Sequence, residues 1–326
     1  MESNQRGKKN CMRIVVAEPI ILDKEAMSSF VASLEKLGHE VGIYNNAPSD
    51  DKEMLERIRG AGIVVVSTYP MAAGLLQQLP DLKFIVVAFT GYDHIDLVYC
   101  KANRINVANA PGYSTTAVAE QTLLMILSVL RKTVEMNKAV GELRSREGFL
   151  GSEISGKTVG IVGFGNIGKK VAEYLETMGA RIVVAKRNSL GNDCKYEVQP
   201  LCGLLQMSDI VSLHVPLNDS TKALIGSKEL AMMKSSAILI NTARGAVVVS
   251  ADLAEALHNS VIAGAAVDIF ESEPPLEASH PLLNAPNVFL LPHTAYATEE
   301  ALTRRLDIVL KNIVNWLNQK PENIVA

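Results

Sequence analysis

The stretch that decides the fold is residues 158–168, which read TVGIVGFGNIG. Its last six letters carry the pattern GxGxxG, with glycines at Gly163, Gly165 and Gly168. The pattern alone is weak evidence, but a β-branched run precedes it and a segment with apolar residues on one helical face follows it. Because a strand, a glycine loop and a helix in this order form the phosphate-binding turn of dinucleotide-binding domains, the stretch predicts a bound nucleotide.

Each glycine of this loop has a physical role in that interpretation. Gly163 permits the tight turn, Gly165 lets the backbone approach a pyrophosphate, and Gly168 lets the helix pack closely on the strand. The backbone amides that begin the helix, at Asn166 and Ile167, then face the anion. The alternative is an ordinary strand–helix turn that needs glycines for its own geometry, and the surrounding pattern favours nucleotide binding over it.

Short β-branched runs alternate with helical segments along the whole chain, which predicts an α/β fold with parallel sheets. Two sets of strands are expected, and each set predicts a doubly wound domain. The expected strands are residues 13–17, 41–44, 63–67, 84–88 and 106–109 in the first set, and residues 158–162, 181–185, 209–215, 237–241, 263–268 and 288–291 in the second.

Two helical segments define how these domains are connected. A single long helix is predicted over residues 114–140, and its density of apolar residues indicates that it is buried. A final amphipathic helix is predicted over residues 299–317. We expect this last helix to return to the first domain, which makes that domain discontinuous along the chain.

The composition narrows the class of protein. The formal net charge is −3, so no global positive field favours nucleic acid or an anionic membrane as a partner. The four cysteines form no CxxC pair and lie near no histidine cluster, which disfavours a disulfide scaffold and a metal site. The polar N-terminal residues lack the apolar core of a signal peptide, and no apolar run is long enough to span a bilayer, so we expect a cytoplasmic protein.

Several charged side chains follow predicted strands of the second set, where ligands of open α/β sheets bind. Arg244 precedes a glycine, and its guanidinium is a candidate for gripping a carboxylate in a bidentate fork. Glu273 lies in an acidic loop with Glu271, which we interpret as a solvated charge, and Asp268 is a candidate for cofactor contact. His293 also follows a strand, although a lone histidine is more often structural than catalytic.

These residues belong to a series of motifs that resembles the D-isomer-specific 2-hydroxyacid dehydrogenases over nearly all of residues 13–318. The matching motifs are residues 91–96 (GYDHID), 109–112 (NAPG), 118–120 (VAE), 162–168 (VGFGNIG), 214–217 (HVPL), 241–245 (NTARG), 267–274 (VDIFESEP) and 292–294 (PHT). The resemblance implies a homodimer and a Rossmann cofactor domain of residues 108–297. That domain would be inserted in a discontinuous, flavodoxin-like substrate domain of residues 1–107 and 298–326.

The resemblance also implies roles for individual residues. Arg244 would hold the substrate carboxylate and polarise the ketone, and His293 would donate a proton to the developing alkoxide. Glu273 would hydrogen-bond His293 and favour its charged form. The loop around Thr90 and Gly91 matches the family's substrate-carboxylate loop. Further cofactor contacts are expected at His214, Val215, Pro216, Thr242, Ala243, Arg244, Asp268 and His293.

Two tyrosines bear on the size of the substrate. Tyr69 follows a predicted strand of the first domain, and Tyr296 comes shortly after His293. Because both offer bulk and a hydroxyl donor, they favour a small polar 2-oxo acid such as hydroxypyruvate or glyoxylate. The alternative, that both rings pack against protein, is equally compatible with the sequence. The keto acid of D-lactate and branched 2-oxo acids stay open as substrates.

The chain departs from the family pattern at the ribose of the cofactor. NAD-using members have an acid at the end of the second strand of the cofactor domain, where it binds the ribose hydroxyls. This chain has Lys186 and Arg187 there, and no acid follows before Asp193. A guanidinium fits a phosphate bidentately, and a second cation adds attraction, so NADP(H) is favoured and NAD(H) stays open. A solvated basic turn is the alternative interpretation.

The expected activity is hydride transfer between NAD(P)H and a small 2-oxo acid to give a D-2-hydroxy acid. A different class also fits the fold: a binding protein that senses NAD(H), as the family's transcriptional corepressors do. Such corepressors can keep the same catalytic residues, so these residues do not separate the two classes. The lack of long disordered interaction tails favours the enzyme.

Overall fold

The structure is a computed structural model that describes residues 11–20, 23–185, 194–272 and 275–326. The internal contacts divide the chain into two compact units. Unit 1 comprises Met1–Ser114 and Thr298–Ala326, and unit 2 comprises Thr115–Ala297. The expected boundary after residue 107 would cut the last strand of the unit 1 sheet, which ends at Ala108, and the division lies after Ser114 instead.

The strands are short and rich in β-branched residues, as expected for strands buried on both faces of a parallel sheet. They are β1 (Arg13–Val16), β2 (Glu40–Ile43), β3 (Ile63–Val66), β4 (Phe84–Val87), β5 (Asn106–Ala108), β6 (Thr158–Val162), β7 (Arg181–Ala185), β8 (Glu197–Val198), β9 (Ile210–Leu213), β10 (Ile238–Asn241), β11 (Gly264–Val267) and β12 (Val288–Leu290).

Helices connect these strands and cover both faces of each sheet. They are α1 (Lys24–Glu35), α2 (Asp51–Ile58), α3 (Ala73–Leu76), α4 (Leu97–Ala102), α5 (Thr115–Arg131), α6 (Thr133–Gly141), α7 (Asn166–Thr177), α8 (Leu201–Met207), α9 (Ser227–Met232), α10 (Ser250–His258) and α11 (Glu299–Leu317). Short 3₁₀ turns occur at Gly245–Val247 and Pro281–Asn284.

Unit 1 contains a parallel sheet with the strand order β2-β1-β3-β4-β5. Both faces of this sheet are packed with apolar side chains. Helix α11 covers one face, where Leu306, Val309 and Ile313 join the core cluster that contains Ile14 and Phe30. The last helix therefore returns to the first unit, as its amphipathic pattern predicts.

Unit 2 contains a parallel sheet with the order β12-β11-β10-β9-β6-β7-β8. The chain runs outward from β6 in one direction through β7 and then resumes on the other side of β6 with β9. The carboxyl ends of β6 and β9 are therefore neighbours at the topological switch point, where open α/β sheets bind their ligands. The predicted α/β fold with two doubly wound parallel sheets is confirmed, although the two-residue strand β8 adds a seventh strand to the six expected here.

The predicted single helix over residues 114–140 is wrong, because the structure has two helices in its place. Helix α5 ends at Arg131, and Lys132 adopts a left-handed backbone with φ of 52°. The carbonyl of Leu130 accepts a hydrogen bond from the backbone N–H of Ser152 (2.9 Å). A loop thus satisfies a carbonyl that would otherwise need the next helical turn.

No helix in the described ranges is both long and apolar enough to cross a bilayer. The same residues contain no group of three or more His, Cys, Asp or Glu side chains that could hold a metal ion. All four cysteines are free thiols, and only Cys100 is buried.

Candidate active site at the carboxyl edge of the unit 2 sheet

The glycine loop after β6 is shaped by close approaches of backbone. Gly163 has φ of +94°, and a Cβ atom on it would lie 2.5 Å from the carbonyl oxygen of His214. A Cβ atom on Gly168 would lie 2.2 Å from the carbonyl oxygen of Gly163. Neither position has room for a side chain, so these two glycines serve the turn and the helix–strand packing, as predicted.

Gly165 differs from these two glycines because the space beside it is open. A Cβ atom there would meet no protein atom within 4 Å. Gly165 is the N-cap of α7, and no side chain caps this helix. The amides of Asn166 and Ile167 at its first turn therefore lie beside open space at the positive end of the helix dipole. This arrangement fits the pyrophosphate of a dinucleotide cofactor.

His214, Val215 and Pro216 follow β9 at the same edge, beside the glycine loop. The backbone N–H of His214 donates to Val162 at 2.7 Å, and its Nε2 atom hydrogen-bonds the Ser212 hydroxyl at 2.9 Å. Although the residue as a whole is partly exposed, its imidazole is enclosed by protein, and this burial lowers its pKa to about 3. The ring is therefore neutral at physiological pH and brings no positive charge to the edge.

The turn that carries Arg244 is held by the buried side chain of Asn241, the last residue of β10. Its Oδ1 atom accepts from the backbone N–H of Ala243 (3.0 Å), and its Nδ2 atom donates to the carbonyl of Arg244 (3.0 Å). The guanidinium of Arg244 donates to the carbonyl of Ala243 (2.8 Å). Because Asn241 engages both ends of the turn, it sets the direction in which Arg244 leaves the sheet.

The same turn is attached to its surroundings at two further points. The Thr242 hydroxyl lies 3.2 Å from the hydroxyl of Thr122 on α5, which itself donates to the carbonyl of Val118 (2.7 Å). A Cβ atom on Gly245 would lie 1.9 Å from the carbonyl carbon of Phe270. The backbone of the loop after β11 therefore approaches Gly245 too closely for any side chain at this position.

The loop that carries His293 is held by Asp268, which is 1% exposed. Its carboxylate accepts from the backbone N–H groups of Thr294 and Ala295, both at 2.9 Å, and its carbonyl accepts from the N–H of His293 at 2.7 Å. The N–H of Asp268 donates to the carbonyl of Asn241 (3.0 Å). Asp268 thus links the Arg244 turn to the His293 loop, and its carboxylate oxygens engage this loop rather than an open surface.

The backbone of His293 is strained, since φ is 56° in a residue that is not glycine. Such conformations cost free energy and occur where the surrounding structure enforces them, often at functional sites. The ring of Tyr296 stands edge-on to the His293 ring, with 5.4 Å between the centroids. The structure therefore places the predicted acid–base residue and the predicted Tyr296 side by side.

Glu271 is an exposed loop residue, as expected, but its carboxylate also has partners in the protein. It accepts a hydrogen bond from the Ser250 hydroxyl at 2.6 Å and lies 3.5 Å from Nε2 of His280. Burial alone would raise its pKa, but the hydrogen bonds, led by that from Ser250, outweigh burial and lower it. The sequence predicts the exposure of Glu271 but not its hydrogen bond with Ser250, because Ser250 is 21 residues away in the sequence.

Thr90 and Tyr69, two of the substrate residues predicted in unit 1, both donate their hydroxyl protons to groups of that unit. The Thr90 hydroxyl donates to the carbonyl of Ala110 (3.1 Å), and Gly91 follows at the end of this loop. The Tyr69 hydroxyl donates to Asp51 (2.7 Å), and burial followed by this hydrogen bond raises the pKa of Tyr69 to about 12. In this arrangement the hydroxyl proton of Tyr69 is donated to Asp51, so Tyr69 is not the hydroxyl donor to a substrate that we expected.

Three predicted residues lie outside the described residues: Lys186, Arg187 and Glu273. Strand β7 ends at Ala185, directly before the first two. Their proposed roles therefore depend on sequence alone.

The chain matches the family model for the NAD binding domain of D-isomer specific 2-hydroxyacid dehydrogenases over residues 123–295. It is 38% identical over 312 residues to a glyoxylate reductase of Aeropyrum pernix, covering 91% of this chain and 93% of the relative. It is 35% identical to a glycerate dehydrogenase of Methylorubrum extorquens, covering 94% and 98%. An NADPH-dependent glyoxylate/hydroxypyruvate reductase of Sinorhizobium meliloti, solved with NADP and malonate, matches with a TM-score of 0.83, 30% identity and 97% of both chains.

Proposed function

Because the chain belongs to the D-isomer-specific 2-hydroxyacid dehydrogenase family, we propose that it reduces glyoxylate or hydroxypyruvate to the corresponding 2-hydroxy acid. It is a nicotinamide-dependent oxidoreductase with a Rossmann cofactor domain. The observation that carries the proposal is the hydrogen-bonded link from Asn241 to Asp268, which holds Arg244 and His293 at one edge of the sheet. The relatives named above are enzymes, and nothing in these likenesses favours a corepressor.

In the proposed reaction the chain orients the 2-oxo acid and moves a proton. When bound, the nicotinamide supplies the hydride. Arg244 binds the substrate carboxylate through its planar guanidinium and polarises the neighbouring ketone. His293 donates a proton to the oxygen of the reduced carbonyl, and in the reverse direction it removes that proton. Asn241 and Asp268 are positioning residues that hold these two side chains by their backbones.

We further propose that Glu273 hydrogen-bonds His293 and favours its charged, proton-donating form. Support comes from the family motif around Glu273, which follows Glu271 by two residues in the sequence. Glu273→Gln removes the negative charge with little change of shape. It should move one limb of the kcat/KM profile against pH, whereas an unmoved profile would show that Glu273 does not act on His293.

We propose NADPH as the preferred cofactor, because Lys186 and Arg187 replace the acid that binds the ribose of NAD. The Sinorhizobium meliloti relative is itself described as NADPH-dependent. The test compares kcat/KM for NADPH and NADH in wild type and in Lys186→Asp/Arg187→Ala. We expect a wild-type preference for NADPH that moves toward NADH in the double variant. A wild-type preference for NADH, or no movement, would contradict this proposal.

We propose that two copies of the chain assemble through the surface formed by α6 and the residues after it. Three apolar side chains there are strongly exposed: Val140 by 73%, Leu143 by 96% and Leu150 by 88%. Exposed apolar residues grouped in one region mark interaction surfaces. Leu143→Glu/Leu150→Glu should give a monomer in sedimentation velocity, whereas Val98→Glu, at a residue 82% exposed in unit 1, should leave a dimer. An unchanged sedimentation coefficient in the double variant would contradict this surface.

The experiment that tests the proposed function is the oxidation of NADPH and NADH with a panel of 2-oxo acids. The panel contains glyoxylate, hydroxypyruvate, pyruvate, a branched 2-oxo acid and phenylpyruvate. We expect the highest kcat/KM for glyoxylate or hydroxypyruvate. A clear preference for phenylpyruvate would contradict the proposed substrate class, and no turnover with any member would contradict the activity. The His293→Ala protein, purified in parallel, excludes contaminating reductases.

A further inference from the structure

The backbone of the loop formed by residues 89–91 is fixed from behind by the segment after β5. The N–H of Ala110 donates to the carbonyl of Phe89 at 3.0 Å, and the Thr90 hydroxyl donates back to the carbonyl of Ala110 at 3.1 Å. The side-chain amide of Asn109 donates to the carbonyl of Thr90 at 2.7 Å. Asn109 is only 7% exposed, so the conformation of this loop depends on a buried amide.

A second buried amide, on α11, holds Asn109 in turn. The Nδ2 atom of Asn312 donates to the carbonyl of Asn109 at 2.8 Å, and Asn312 has no exposed surface. Its Oδ1 atom accepts from Nδ2 of Asn323 at 2.8 Å, and the carbonyl of Asn323 accepts from the N–H of Asn109 at 3.2 Å. A continuous series of hydrogen bonds therefore runs from Asn323 through Asn312 and Asn109 to Thr90.

Asn323, where this series of hydrogen bonds begins, lies in a segment that pairs with the edge strand β5. The segment 323–326 pairs antiparallel with β5 through a bridge between Ala108 and Ile324. The N–H of Val325 donates to the carbonyl of Val107 at 2.8 Å, and the N–H of Val107 donates to Ala326 at 3.0 Å. Asn323 has φ of 56°, a left-handed conformation that asparagine tolerates better than most residues. The side chain of Asn323 is thereby directed to Asn312.

The position of Asn312 is unfavourable for an amide unless the amide is fully paired. Its neighbours on the buried face of α11, Val309 and Ile313, belong to the apolar core of unit 1. Burying an unpaired amide costs free energy, and a leucine would bury more apolar surface at this point. Both polar atoms of Asn312 are paired, one toward the loop segment and one toward Asn323. The amide of Asn312 thus fixes the segment of Asn109 relative to the segment of Asn323, which apolar packing alone would not do.

We propose that Asn323, Asn312 and Asn109 form a positioning relay that sets the backbone of residues 89–91 for binding the carboxylate of the 2-oxo acid. The proposal rests on the proposed function, because this loop matters to the reaction only if it binds the substrate. None of the three asparagines touches the reacting atoms in this proposal. They act through the Thr90 carbonyl, which Asn109 holds.

The test uses Asn312→Asp and Asn323→Ala, with Asn315→Leu, at a half-buried residue of the same helix, as the matched control. Asn312→Asp keeps the acceptor for Asn323 but removes the donor to Asn109. We expect the KM for the preferred 2-oxo acid to rise about tenfold, the effect of losing one buried hydrogen bond. The dissociation constant for NADPH should stay within about twofold, since a buried pair in unit 1 makes no contact that the cofactor requires. Asn323→Ala should give a smaller change in the same direction.

Hydrogen exchange gives a readout that does not depend on turnover. In the absence of substrate, amides of the peptide that covers residues 89–94 should exchange faster in Asn312→Asp than in wild type or Asn315→Leu. Unchanged exchange in this peptide, or faster exchange with an unchanged KM, would overturn the relay. Wild type that turns over no 2-oxo acid would instead overturn the proposed function. If Asn312→Asp fails to fold, the same two measurements on Asn323→Ala decide.

Discussion

The two sheets have similar topology, but different residues follow their first strands: a buried glutamate follows β1 in unit 1, and a glycine loop follows β6 in unit 2. In unit 1, Glu18 follows β1 and is 3% exposed, and its carboxylate accepts from the backbone N–H groups of Ser67 (2.6 Å), Thr68 (3.3 Å) and Tyr69 (3.1 Å). In unit 2, the corresponding strand β6 is followed by Gly163 and Gly165, and the helix that begins there has no side-chain cap.

This difference shows how the first strand of the same kind of sheet leads to a site that a side chain fills in unit 1 and to open space in unit 2. Backbone amides at the carboxyl edge of a parallel sheet form an anion site in either case. In unit 1 the protein supplies the anion itself, through Glu18, and uses it to fix the loop that contains Tyr69. In unit 2 no side chain caps the start of α7, and the space beside Gly165 is open.

The largest expected effect comes from removing His293 of unit 2, the residue that we propose as the general acid and base. His293→Ala should lower kcat by about a hundredfold or more, the usual contribution of a positioned general acid. The measurement is steady-state turnover with saturating NADPH. His258→Ala on α10 is the control and should keep its activity. Near-normal turnover by His293→Ala would show that the proton comes from another group.

The next effect is a loss of stability at Gly168, a glycine of the loop that has no room for a side chain, unlike Gly165. Gly168→Ala places a methyl group against the carbonyl oxygen of Gly163, because a Cβ atom at this position would lie only 2.2 Å from that oxygen. Overpacking of this kind costs about 1–3 kcal/mol, so the free energy of unfolding in urea should fall by that amount. Gly141→Ala, where a Cβ atom meets nothing within 4 Å, is the control. Unchanged stability in Gly168→Ala would mean that the loop is not packed as described.

Glu18→Gln tests the internal anion of unit 1. The amide has the shape of the carboxylate but places an NH₂ group toward backbone donors, which should cost about 1–2 kcal/mol of unfolding free energy. Because Tyr69 lies on the affected loop, we also expect KM for the 2-oxo acid to rise while NADPH affinity is unchanged. Glu25→Gln, at an exposed residue of α1, serves as the control. Weakened NADPH binding in Glu18→Gln would contradict the division of roles.

The smallest effect is a pH dependence of the free energy of unfolding that arises from His214 in unit 2. Its pKa is about 3 in the folded protein, below the ordinary value of 6.5, because the imidazole is buried. The unfolded chain therefore binds an extra proton below about pH 6.5, and stability falls as the pH is lowered toward 3. The slope from one such group is at most about 1.4 kcal/mol per pH unit. His214→Gln should reduce the loss of unfolding free energy between pH 6.5 and 5, and equal losses in both proteins would refute the assignment.

Elements with a sustained pattern could be predicted from the sequence. Strands β6 and β7 and helix α11 have the predicted bounds, because β-branched runs and an amphipathic stripe repeat over each whole element. The break at Lys132 has no such signal, since neither glycine nor proline marks it. Strand β8 is two residues long, too short for any alternation to be recognised.

The residues proposed for chemistry stand out in the sequence, whereas the long-range contacts of unit 1 do not. Arg244 and His293 stand directly after predicted strands, and the family motifs single them out. Asn241 and Asp268 carried a usable signal, because an Asn or Asp at a strand end often binds the backbone of the following turn. The contact between Asn312 and Asn109 spans 203 residues, and no local pattern predicts it.

We expect the cofactor to bind beside Gly165, because this loop has no side chain there. Gly165→Val extends a side chain into that space, where a Cβ atom meets no protein atom within 4 Å, and Gly74→Val makes the same substitution at a glycine of unit 1 whose Cβ position is equally open. The most direct measurement is a fluorescence titration with NADPH, paired with the melting temperature of each protein. We predict that Gly165→Val melts like wild type but binds NADPH at least about tenfold more weakly, as expected for lost charge-assisted hydrogen bonds, and that Gly74→Val matches wild type in both. Wild-type affinity in Gly165→Val would show that the cofactor does not bind beside Gly165.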